Sequence, residues 1–147
     1  MHNLFLFLHV AAAIFWMGGM AFMVLALRPA LHAQLQPPQR LPLVVAVMAR
    51  FFVVVAVSIV VLLATGVPML LEVGAHAPPG FHAMAGLGVL MMLVFGHVVA
   101  APWRRLKQAV AAQNWPEGGK RVQQIVVLVK FNLGLGWLAI AAVMLWR

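Results

Sequence analysis

Four long apolar runs constrain this chain more than anything else in it. They cover roughly residues 3–27, 51–71, 81–103 and 122–146. Each is close to the ~20 residues that cross a hydrocarbon core ~30 Å thick. Inside lipid the backbone finds no water to bond, so each run must be helical. The composition agrees: 65% of the residues are hydrophobic and only 8% are charged, against about 25% charged in a soluble domain. Such a chain cannot cover a water-facing surface, and the lipid bilayer becomes its first partner. The expectation is an all-α integral membrane four-helix bundle, one domain over residues 1–147. The first run is too long for a signal peptide and lacks a basic leading region, so it reads as a span.

The connections between the runs differ in charge. The first contains Arg28, Arg40 and Arg50, together with Pro29, Pro37, Pro38 and Pro42, which read as helix breakers. The third contains Arg104, Arg105, Lys107, Lys120 and Arg121, whereas the middle turn, Glu72 to Gly80, has no Lys or Arg. Lys and Arg collect in cytoplasmic loops. The pattern therefore predicts an N-out/C-out arrangement in a bacterial inner (cytoplasmic) membrane. It also accounts for the formal charge of +8 without invoking nucleic acid. Trp103, Trp115 and Trp146 fall near the ends of spans, as interfacial anchors do. Gly18, Gly19, Gly66, Gly86, Gly88, Gly134 and Gly136 permit close helix contact, and such faces also suit a homodimer. There are no cysteines, which excludes thiolate metal sites and leaves histidine and methionine as side-chain ligands.

Ionisable groups at membrane depth are costly, and each is a functional hypothesis. The candidates are His9, His82, His97, Glu72, Lys130 and Arg50, with Asn132 as a neutral companion. His9 lies about 9 Å along its helix from Asn3, and His82 sits at the start of the third run, which leaves the two at similar depth. His97 lies about 22 Å deeper than His82 and is the weaker partner. Two imidazoles on two helices near one face could ligate a b-type haem. Trp16 and Gly86 share the helix faces of His9 and His82 and would flank the ring. The plainer reading is that each histidine bonds a neighbouring helix. Lys130 reads as a lysine snorkelling to the headgroups, with a propionate partner as the alternative. His2, His32 and His76 read as solvated. Met17, Met20 and Met23, spaced i, i+3 and i+6, offer thioethers that favour Cu(I), although methionine is also ordinary bundle filler.

The string Leu-His-Val-Ala-Ala-Ala-Ile-Phe-Trp-Met-Gly-Gly, Leu8 to Gly19, resembles the first-helix signature of the CopD (copper-resistance protein D) superfamily, which the HemJ family shares. Arg50-Phe51 through Thr65-Gly66, Phe81-His82 through Gly96-His97 to the basic Arg104-Arg105-Leu106-Lys107, and Phe131-Asn132 are similar to the later helices of these families. HemJ resemblance implies haem b and a protoporphyrinogen oxidase-like oxidoreductase, with His9 as a haem histidine and a porphyrin or quinone as partner. CopD resemblance implies copper uptake or tolerance. One departure concerns the HemJ pattern His-X-Lys, where this chain has His82-Ala83-Met84. The expected function is thus a membrane haem protein held by His9 and His82. The alternatives are a copper-handling protein using His and Met, or a subunit without a cofactor.

Overall fold

A computed structural model describes residues 1–146. Among these, six α-helices make up most of the chain: α1 (His2–Phe22), α2 (Arg28–Gln34), α3 (Pro37–Val73), α4 (Pro79–Ala100), α5 (Pro102–Ala111) and α6 (Trp115–Leu145). A π-helical turn, Met23–Leu27, joins α1 to α2, and a 3-10 turn, Gly74–His76, follows α3. Four continuous helical stretches are long and apolar enough to cross a membrane: His2–Gln34, Pro37–His76, Pro79–Ala111 and Trp115–Leu145. The all-α membrane bundle expected from the sequence is therefore present.

The helices begin earlier than hydropathy suggested. α3 starts at Pro37 instead of near Phe51, because Pro37 and Pro38 occupy its first turn. The N–H groups of a first turn have no intrahelical partner, so proline costs nothing there. Only Pro42 and Pro68 lie inside the helix. α6 starts at Trp115, with the Asn114 side chain accepting from the Glu117 backbone N–H at 3.4 Å, while Glu117 pairs with Arg121 one turn on at 2.7 Å. α3 has 37 residues, about 55 Å at 1.5 Å per residue. That exceeds the hydrocarbon core, so its Arg-bearing start projects beyond the apolar zone.

A sharp break at Ala101 separates α4 from α5, since a residue before proline is driven out of helical geometry. α5 is amphipathic. Pro102, Trp103, Leu106 and Ala109 are buried, while Arg104, Arg105 and Lys107 are exposed. Trp103 was expected at an interface but belongs to the core. The Lys107 ammonium lies 5.3 Å from the centre of its ring.

α1 packs chiefly on α3 and α4 chiefly on α6, while α5 also lies on α6. α6 touches α1, α3, α4 and α5, which makes it the central element. A chain of edge-to-face aromatic contacts crosses the bundle: Trp16 to Phe95 at 6.4 Å, Phe95 to Phe52 at 5.6 Å, and Phe52 to Trp103 at 4.9 Å. At the end carrying the termini, the Gly80 N–H donates to the Trp146 carbonyl at 3.0 Å. A Cβ on Gly80 would collide with the α6 backbone at Ala142 and Trp146. The opposite end carries the start of α3, α5 and the start of α6, and with them most of the basic residues.

Truncating Trp103 removes both its burial and its contact with Phe52. We expect Trp103→Ala to destabilise the bundle by about 3–5 kcal/mol and Lys107→Ala to change little, as read by denaturant unfolding in detergent micelles.

Candidate metal-binding site at His9

His9 sits two turns into α1 and turns its ring onto α3. Its Nδ1 lies 3.0 Å from the Thr65 Oγ1. The Thr65 hydroxyl already donates to the Val61 carbonyl at 2.7 Å, and its proton is committed there. Thr65 Oγ1 must therefore accept, and His9 Nδ1 must carry the hydrogen. In a neutral imidazole this leaves the lone pair on Nε2, because the partner of one ring nitrogen fixes the role of the other. The geometry thus presents one unprotonated ring nitrogen, the form that binds metals.

Gly66 makes this arrangement possible. A Cβ there would lie 2.8 Å from His9 Cε1, so any larger residue would push the ring off Thr65. His9 is half-buried and Thr65 is buried. The pairing was open to depth reasoning. Thr65 lies seven residues before Glu72 and His9 seven after His2, about 10 Å in each case at 1.5 Å per residue. The termini-bearing ends of the two helices also meet at His2 and Glu72, whose side chains lie 3.6 Å apart and are well exposed.

The other candidates fall elsewhere. His82 and His97 are exposed on α4, and so is Gly86, which has nothing within 4 Å of the place a Cβ would occupy. His9 and His82 belong to different helix pairs, α1 with α3 and α4 with α6, and the structure does not bring them together. Trp16 is 3% exposed and packed edge-on to Phe95, so it forms core and is not an open wall for a porphyrin. The bis-imidazole cradle expected for haem b has no support in this geometry. Among the described residues, no group of three or more His, Asp or Glu side chains gathers to hold a metal ion.

The thioethers are placed differently. Met20 is 2% exposed, and Met17 and Met23 are partly buried against the same core. Met17 lies against α6, with its Sδ 2.9 Å from where a Gly136 Cβ would stand. These side chains continue from His9 toward the basic end along the inward side of α1. Asn132 bridges α6 to α4 through its Nδ2, which donates to the Met91 carbonyl at 3.2 Å, and its Oδ1 is buried without a partner. Lys130 is exposed, as a snorkelling lysine would be.

The fold and this site define a small multi-pass membrane protein that presents an imidazole, hydrogen-bonded to Thr65, within its bundle. The sequence pattern of copper resistance protein D (CopD) matches residues 45–146. The match covers more than half of the chain, and the protein belongs to the CopD family. It begins within α3 and runs through α6, so it leaves out α1 and His9. No curated protein and no solved structure matches the chain at a significant level.

Replacing Thr65 with valine removes the acceptor while keeping the shape. We expect Thr65→Val to abolish the preference for the Nδ1–H tautomer of His9 and Thr65→Ser to retain it, as read from imidazole 15N shifts. The cost to stability should be only about 0.6 kcal/mol, the average for hydrogen bonds between membrane helices.

Proposed function

We propose that this protein handles copper as cargo at the membrane, in tolerance or uptake, with His9 Nε2 as the first protein atom to meet the ion. Membership of the CopD family carries the reading. Imidazole and thioether ligands favour Cu(I), and the orientation of His9 by Thr65 and Gly66 supplies the first of these. Met17 and Met20 on the same helix, and Met23 at the start of the π-helical turn, supply the second. A cation entering hydrocarbon loses its water at high cost. The imidazole, and polarisable sulfur further along the chain, would each replace part of that shell and leave no fixed negative charge to trap the ion.

In this reading both termini face outward and His9 lies near the extracytoplasmic surface of a bacterial inner membrane. The basic end, with α5 and the starts of α3 and α6, faces the cytoplasm, following the preference of Lys and Arg for that side.

Cu(I) competition against a chromophoric chelator tests the proposal. Thr65→Val should weaken Cu(I) binding about 10–100-fold, the usual consequence of losing the partner that orients a metal-binding histidine. His9→Ala should weaken it further, and cells carrying it should respond to copper as the deletion strain does. A purified protein that shows a Soret band and binds no copper would overturn the proposal in favour of haem.

A further inference from the structure

We propose that a groove at the basic end of the bundle holds an acyl chain and the anionic headgroup of a bilayer phospholipid, with Arg28 selecting the charge. The groove lies between the π-helical turn, α3 and α6, and holds about 410 Å³ of open space counting its mouth. Met23, Val24 and Leu27 of the π-helical turn line one side, with Val44 and Met48 of α3 opposite. Short π-helical segments within α-helices occur frequently at functional sites, and here the turn forms one wall of the cavity. Every lining residue is apolar except Arg28.

Arg28 supplies the second half of the argument. Its Nη2 donates to Gln123 Oε1 on α6, while its Nε is buried and has no partner. A buried donor left unpaired costs about 1–3 kcal/mol, and more when charged. Among the described residues, no carboxylate side chain is free to meet it. The acidic residues are Glu72 and Glu117. Glu117 is paired with Arg121, and Glu72 stands beside His2 at the other end of the bundle. An acceptor for this N–H would come from outside the described residues. An apolar groove beside a guanidinium with an unbonded Nε–H suits a molecule with a hydrocarbon tail and a negative head, and the surrounding leaflet supplies anionic phospholipid. This inference does not use His9, and it shares only Met23 with the copper reading.

The full chain in nanodiscs of phosphatidylcholine, with phosphatidylglycerol titrated in, provides the test. Native mass spectrometry reads the retained lipid and thermal unfolding reads its effect. We expect phosphatidylglycerol to be retained over phosphatidylcholine and to raise the melting temperature. Arg28→Gln should abolish that selectivity, and Arg28→Lys should keep much of it. Val47→Phe, which fills the groove, should reduce retention of either lipid. The paired change Arg104→Gln, Arg105→Gln on the exposed face of α5 should leave selectivity intact. Equal retention of the two lipids would overturn the proposal. So would selectivity that follows Arg104 and Arg105 instead of Arg28, or a quinone in place of a phospholipid in the extracted protein.

Discussion

Hydrocarbon accepts and donates no hydrogen bonds, and this condition shapes the molecule at two levels. It forces the backbone into helices, which satisfy themselves. It then requires any polar side chain within the bundle to find a partner on another helix. Among the described residues, Arg28 to Gln123 is one such bond, at the basic end, and two more are His9 to Thr65 and Asn132 to the Met91 carbonyl. The last two join α1 to α3 and α6 to α4, the same two pairs that pack most closely. Such bonds are worth about 0.6 kcal/mol on average, so they orient helices more than they hold them. Cohesion between the pairs comes from packing, and the aromatic chain from Trp16 through Phe95 and Phe52 to Trp103 ties α1, α4, α3 and α5 together.

The same condition gives the site its chemistry. Thr65 donates backward along its own helix and accepts from His9, so a single hydroxyl determines which imidazole nitrogen is bare. Gly66 lets the ring lie close enough for this to happen. Neither residue needs to touch the ion. The CopD match covers the helix that carries Thr65 and Gly66 but not the helix that carries His9, and so the imidazole is supplied by the part of the chain outside the match.

The number and nature of the spans were legible in the sequence, because a run of apolar residues long enough to cross lipid is a property of the run alone. The helix starts were not. Pro37 and Pro38 read as breakers although they suit a first turn, and Lys120 and Arg121 read as loop although α6 simply extends beyond the hydrocarbon. His9 stands out in the sequence as a polar residue at membrane depth, and the structure pairs it with Thr65. The structure does not pair it with His82, because similar depth cannot say which helices are neighbours, and α1 packs on α3 while α4 packs on α6. Thr65 stands at that depth too, on the helix that does adjoin α1. Trp16 was placed on the right face, but that face is core.

Copper-edge X-ray absorption on the Cu(I)-loaded protein tests the assignment of His9 most directly. We expect nitrogen and sulfur ligands together, with the nitrogen contribution lost in His9→Ala. An unchanged spectrum in that variant would contradict the assignment, as would a protein that purifies with haem iron and takes up no copper.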